Sequence, residues 1–374
     1  MIYFHDLLQN DGFRSFVQKR IASHPGNEGY AFPSSFPPLF RYRPLSEYAI
    51  KDIVQDQFTL TSIGEFNDLF DGAFHMAYTQ EECKRQAADE WNERKKIFDK
   101  LPIQLVDQHD QYIAMRARRL KEDARLKFRE LDYLGTYVGC LSSQCDSTLM
   151  WSHYADYNRG ICVEYDFNQF PQNHLLRKAL FPVYYSENPI DLMDLIADEK
   201  HEVYEYPLDA AVLCTALNKA VPWRYEQEWR LVLVLVSLDK KTKWVPVQLA
   251  IRPTSICLGY HFLKVFFSHP TKSFEESAKE KEKIKLALQR FYQLLDYVNT
   301  HQIRLSLMMP VIGSYQLAPR PLSVQSLQRF MHKQFDGNYT ESIQYYYTVH
   351  DATSLQQAEA LRQSILKQAF EGRI

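Results

Sequence analysis

Glu226-Gln227-Glu228-Trp229-Arg230 places two carboxylates and a guanidinium at the head of an apolar run, Leu231-Val232-Leu233-Val234-Leu235. Alternate side chains of a strand point to opposite faces, so this spacing predicts Trp229, Leu231, Leu233 and Leu235 on one buried face. Glu226, Glu228 and Arg230 then share the other face, which turns apolar again at Val232 and Val234. A polar half at one end of a covered surface is how a cleft is laid out. A fixed carboxylate in such a water-poor cleft stabilises positive charge that develops during a reaction. The competing reading pairs the two glutamates with Arg41, Arg43 or Arg230 on neighbouring strands, an arrangement of little net worth. Against it, two like charges on one strand face repel and gain from a bound or developing cation.

Three more clusters concentrate polar groups: Arg41-Tyr42-Arg43, Asn67-Asp68-Leu69-Phe70-Asp71, and the stretch from Trp151 to Asp166. Asn67 and Asp68 follow an expected strand, where such side chains either shape a turn or bind a ligand. Trp151 and Tyr154, three apart on an expected helix, share a face suited to core packing or to stacking a ring. His153 is expected to point elsewhere and to be structural. The acidic groups also permit a metal-dependent nuclease, with Asp68, Asp71, Glu226, Glu228 and His75 or His153 around Mg²⁺ or Mn²⁺. No spacing supports that set specifically, and no metal is expected. A third class is a non-catalytic sensor, in which the cleft binds a nucleotide or peptide and helical arms contact a partner.

The order of these motifs resembles an uncharacterised bacterial family, domain of unknown function 2971. The likeness runs through Leu39-Phe40-Arg41-Tyr42-Arg43, Phe66-Asn67-Asp68, Met150-Trp151-Ser152-His153-Tyr154-Ala155, Arg159-Gly160-Ile161-Cys162-Val163-Glu164-Tyr165 and Tyr225-Glu226-Gln227-Glu228-Trp229-Arg230. It covers about residues 39 to 260. The family name brings no chemistry, and its type is associated with defence or toxin effectors without any residue behind that link. The layout is also similar to that of ADP-ribosyltransferases. That likeness implies NAD as substrate, Arg41 as the first-strand residue, Thr61-Ser62 as the middle motif and Glu228 as the catalytic carboxylate. It further implies Arg41, Tyr42 and Arg43 on the dinucleotide, the two arginines through charge-assisted bonds to pyrophosphate. Trp151, Tyr154, Asn67, Asp68 and Arg230 complete the expected contacts, and Glu226 activates an unidentified macromolecular acceptor. Two departures stand out: Ser62 is followed by Ile63 rather than a third hydroxyl residue, and no Gly-rich phosphate loop is present.

The elements that position these groups scatter strands among helices without regular alternation, which predicts an α+β fold with a mixed or antiparallel sheet. Residues 1 to 38 read as an N-terminal helix and a Pro- and Gly-rich connector. A core follows over 39 to 270, with strands at Leu39 to Arg43, Phe58 to Thr61, Tyr133 to Leu141, Gly160 to Tyr165, Trp244 to Leu249 and Ser255 to Leu258. Ser46 is expected to cap a helix through Val54. Helices are expected over Glu81 to Lys100 and Gln108 to Asp132, forming an insertion near 80 to 132, and over Val203 to Asn218. Residues 271 to 374 read as mainly helical, with helices at Ser273 to Thr300, Ser323 to Gln334 and Thr353 to Phe370, and short apolar segments near Ile303 and Pro310.

Composition narrows the classes. The 374 residues are 45% hydrophobic and 24% charged, which suits a globular chain with a substantial core. Forty-four Lys and Arg against 46 Asp and Glu give a net charge of -2, so no global field favours nucleic acid or an anionic membrane. Arg116, Arg118, Arg119, Lys121 and Arg125 are interleaved with acidic residues and read as a solvated helix face. Six cysteines without Cys-x-x-Cys spacing read as reduced thiols. With no secretory signal pattern and no apolar run near the ~20 residues that span a bilayer, a cytoplasmic protein is expected.

Overall fold

The computed structural model describes residues 4–23, 26–75, 80–98, 109–123, 135–191, 207–235, 242–249, 251–265 and 274–336. The expected helix over 353 to 370, Arg125, and the ends of four other expected helices lie outside them.

The fold is α+β, built on a ten-stranded mixed sheet. In chain order the described strands are β1 (Leu39–Arg43), β2 (Gln57–Ser62), β3 (Phe74–His75), β4 (Thr136–Ser142), β5 (Ile161–Tyr165), β6 (Leu180–Pro182) and β7 (Tyr184–Ser186). They continue with β8 (Ile190–Asp191), β9 (Asn218–Ala220), β10 (Glu228–Val234), β11 (Trp244–Gln248), β12 (Ser255–Leu258), β13 (Arg304–Pro310) and β14 (Leu317–Pro321). The main sheet runs β11-β2-β4-β1-β5-β12-β13-β14, and β10 pairs with both β4 and β6. Its pairings are antiparallel except β12 with β13. Gly139 sits where β1 and β2 both meet β4. A Cβ there would come within 2.3 Å of the Phe58 ring and 2.7 Å of Leu60, so the junction closes only on glycine.

The described helices are α1 (Phe4–Gln9), α2 (Asp11–Ala22), α3 (Glu47–Val54), α4 (Gln80–Phe98), α5 (His109–Asp123), α6 (Thr148–Tyr154), α7 (Leu175–Lys178), α8 (Pro207–Ala216), α9 (Phe274–Thr300) and α10 (Val324–Asp336). Ser46 caps α3 by accepting from the Ala49 amide, as its sequence position predicts. The expected single N-terminal helix is instead two, because Asn10 caps a new helix at Asp11 by accepting from the Phe13 amide.

One face of the sheet carries the large core, where Leu39, Val163, Ile256 and Leu305 pack with Ile50 and Ile53 of α3 and Phe291 and Leu294 of α9. The other carries a smaller cluster of Tyr42, Trp151, Cys162, Cys257 and Met308 under α6. The short apolar segments near Ile303 and Pro310 merge into the single strand β13, which pairs with β12 and β14, so residues beyond 271 extend the sheet rather than only covering it. Short strands β6 to β9 have no counterpart in the sequence reading. Their two or three residues are too few to display alternation.

Helix α6 ends in three successive left-handed residues, Asp156, Tyr157 and Asn158, with φ of 47°, 55° and 65°. Such backbone costs about 1–2 kcal/mol per residue. It is held because the Tyr157 and Asn158 amides donate to the carbonyls of Ser152 and Trp151, and Asn158 accepts from the His261 amide. Gly259 permits the close approach, since a Cβ there would lie 2.2 Å from the Asn158 oxygen. This turn fixes the last residues of α6 against the sheet.

Candidate functional site

Strand β10 alternates as its sequence predicts from Glu228 onward. Glu228, Arg230 and Val232 stand opposite Ser142, Cys140 and Val138 of β4. Phe40 of β1 also stands opposite Ser142. Glu228 and Arg230 therefore share the face of Phe40 and Tyr42, beneath α6. Glu226 differs from expectation because it is not on the strand. It closes a 3-10 turn over Val221–Glu226, begun by Pro222, and Gln227 takes a left-handed φ of 43° before β10 starts. The Ser142 hydroxyl donates to the Glu226 carbonyl at 2.6 Å and pins the turn against β4.

The glutamates are buried rather than open to solvent. Glu226, Glu228 and Arg230 are 3%, 4% and 0% exposed and belong to a buried cluster of five charged groups. Arg230 holds Asp71 in a bidentate pair, Nη1 to Oδ1 at 2.7 Å and Nη2 to Oδ2 at 2.6 Å. Its Nε also donates to Glu228 at 2.9 Å, and Nη1 to the Ala216 carbonyl at 2.7 Å. Lys219 of β9 places Nζ 2.5 Å from Glu226, 2.8 Å from Glu228 and 4.0 Å from Asp71. The Tyr154 hydroxyl donates to the remaining Glu226 oxygen at 2.6 Å. Lys219 thus stands where the three carboxylates converge, the position that a bound cation would otherwise take.

Electrostatics separates the two glutamates. Burial pushes the Glu228 carboxyl up, but Arg230 and Lys219 overcome it and bring it down to about 2. Burial also pushes Glu226 up, with Glu228 adding repulsion, and Lys219 does not fully compensate, so its carboxyl stays above the ordinary value. Opposing burial, Glu228 and Glu226 hold the Lys219 ammonium firmly protonated. With all five ionised, three carboxylates face two cations, and burial holds both Glu226 and Asp71 above their ordinary values.

An aromatic rim borders Glu226. The Lys219 ammonium lies 5.1 Å from the centre of the Trp223 ring. Trp223 and Tyr225 have centroids 6.1 Å apart, and His153 lies 6.0 Å from Tyr225 and 6.2 Å from Tyr154. His153, expected to point away, instead meets Tyr225 through a hydrogen bond of 3.1 Å. Trp151 is fully buried, edge-on to Tyr42, and donates to the Cys145 carbonyl. Of the Trp151–Tyr154 pair, only Tyr154 reaches the cluster.

The remaining expected contacts lie apart from it. Arg41 and Arg43 alternate with Phe40 and Tyr42, so they project from the opposite face of β1. Arg43 pairs with Asp52 of α3 at 2.5 Å, and Arg41 donates to the Thr59 carbonyl at 2.6 Å over the Phe58 ring. Tyr42 shares the face of the cluster, but its hydroxyl is committed to the Gln144 carbonyl. Thr61 and Ser62 end β2 in register with Val138 and Tyr137 of β4. Asp68 shapes a turn by accepting from the Phe70 amide at 3.0 Å, which brings Asp71 to Arg230, and Asn67 is exposed in that loop. Lys219 escaped the sequence reading although a signal existed, a lone lysine closing the apolar run from Ala210 to Leu217.

Residues 150–231 match the family described as protein of unknown function, DUF2971. The matched DUF2971 segment holds the motifs around Trp151, Gly160 and Glu228, together with Lys219, and so four of the five charged residues; Asp71 comes from outside it. No curated protein and no solved structure matches the chain. Among the described residues, no group of three or more His, Cys, Asp and Glu is arranged to hold a metal ion. No described helix is long and apolar enough to cross a membrane.

Proposed function

We propose that the site cleaves the bond between nicotinamide and ribose in NAD⁺ and passes the ribosyl group to water or to a macromolecular acceptor. The observation that carries this reading is the surplus of one negative charge in a buried cluster in which Glu226, its carboxyl held above the ordinary value, borders an aromatic rim. Breaking that bond builds positive charge at the ribose, and a preorganised carboxylate in a dry site opposes that charge at no reorganisation cost. Glu226 takes the charge-stabilising role. Glu228, already neutralised by Arg230 and Lys219, positions Lys219 and through it Glu226. Trp223 and Tyr225 offer ring faces to the leaving base.

The test is nicotinamide release from NAD⁺ in EDTA by the purified chain, alongside Glu226→Gln. Release that falls at least 100-fold in the variant supports the reading. Release absent from folded wild-type protein sinks it, and release unchanged in the variant removes Glu226 from the chemistry.

A further inference from the structure

Two successive residues of α6 grip two successive residues of the turn before β10. Tyr154 donates to Glu226, and the neighbouring His153 places Nδ1 3.1 Å from the hydroxyl of Tyr225, the residue before Glu226. An imidazole is therefore tied to the carboxylate cluster through both segments, yet its ring is exposed while Glu226 is buried. The turn of Asp156, Tyr157 and Asn158 fixes the end of α6 and with it this double clasp.

We propose that His153 is the general base that activates the acceptor, and that the acceptor is accordingly an O–H nucleophile, either water or a hydroxyl group. The inference rests on the NAD⁺ reading above. With Nδ1–H donating to the Tyr225 oxygen, Nε2 carries a lone pair toward solvent. As the acceptor oxygen bonds to the ribose carbon, its proton passes to Nε2. The carbon–nitrogen bond breaks with its electron pair going to the pyridinium ring, which leaves as neutral nicotinamide. The exposed imidazolium then returns the proton to water. With water as acceptor the balance is NAD⁺ plus H₂O to ADP-ribose, nicotinamide and H⁺.

The surroundings suit this role. Partial burial lowers the His153 pKa below its ordinary 6.5, so the ring is neutral and ready to accept a proton near pH 7. Tyr154 and Tyr225 are the titratable groups against it. Burial, and then the Glu226 charge, push both hydroxyls up, so neither competes as a base. A carboxylate acceptor has no proton to lose, and a guanidinium holds its protons too tightly for an imidazole to remove one.

The experiment is the pH profile of nicotinamide release by the full chain for wild type, His153→Ala, Tyr225→Phe and Glu226→Gln, each with and without added imidazole. Wild type should lose activity on the acid side with an apparent pKa below 6.5. His153→Ala should fall about 100-fold, lose that acid limb and recover with imidazole, as befits a missing base. Tyr225→Phe should keep the limb and shift it. If His153→Ala keeps wild-type rate and limb while Glu226→Gln is inactive, the base assignment is wrong and the NAD⁺ reading stands. If His153→Ala loses activity, folds as wild type and gains nothing from imidazole, the residue only positions its neighbours and the inference is overturned. No release by the wild type overturns both.

Discussion

Two ionic clusters face away from each other across the centre of the sheet. Under α6, Lys219 and Arg230 meet Asp71, Glu226 and Glu228, leaving one negative charge over. On the α3 side, among the described residues, Arg41 and Arg43 share Asp52 as their carboxylate, leaving one positive charge over. The positive surplus is settled locally. Arg41 stacks on Phe58 at 3.8 Å and bonds the Thr59 carbonyl, while burial and then Arg43 lower its pKa to about 10. The negative surplus is met instead by the Tyr154 hydroxyl on Glu226, the Cys140 thiol on Glu228 and the aromatic rim. A cluster that closes on its own side chains reads as structure, and one left a charge short reads as a place where a cation, standing or transient, is welcome.

The largest expected effect that separates the two is Arg230→Met. It removes the bidentate partner of Asp71 and leaves Glu228 to Lys219 alone in the interior, and should cost about 3–5 kcal/mol in denaturant unfolding. A loss under about 1 kcal/mol would mean that the cluster is far wetter than its burial implies. Asp52→Asn on the other face should cost about 2 kcal/mol, the worth of charge-assisted bonds whose guanidinia still reach the surface. An equal loss at the two faces would erase the contrast. As a half-buried control away from both clusters, Arg116→Ala removes its pair with Glu90 and should cost no more than about 1 kcal/mol.

The smallest effect is the most specific. A carboxyl raised in the folded state keeps its proton where the unfolded chain has lost it, so stability falls as pH climbs from the ordinary value of 4.5 through the raised one. Glu226→Gln should therefore flatten the decline of unfolding free energy toward neutral pH. Glu228 works in the opposite sense: its contribution is complete above 4.5 and is lost as pH falls toward about 2. Glu228→Gln should weaken the protein at pH 7 and leave the acid region nearly unchanged. The reverse assignment of these two profiles would exchange the roles given to the glutamates.

Much of one cluster was legible in the sequence, and its neutralisation was not. The alternation of β10 from Glu228, the α6 motif and the Ser46 cap follow from local spacing. Glu226 left the strand because Gln227 adopts a left-handed conformation, which glutamine does not advertise as glycine would. Asp71 comes from a loop remote in sequence, and Lys219, though only seven residues before Glu226, from a three-residue strand too short to show its facing, so only the folded chain shows how the charges are matched. The arginines of β1 seemed suited to the same cleft because the sequence does not reveal register. The pairing of Phe40 with Ser142, and of Ser142 with Glu228, places them on the other face. Whether β13 pairs parallel to β12 is likewise fixed by distant packing rather than by its own residues.

The most direct test of the account compares nicotinamide release from NAD⁺ in EDTA by wild type, Glu226→Gln and Arg43→Gln, each shown to be folded. The account predicts release by wild type and Arg43→Gln at similar rates and a loss of about 100-fold or more in Glu226→Gln. Release that depends on Arg43 and ignores Glu226, or none at all from the folded wild type, would contradict it.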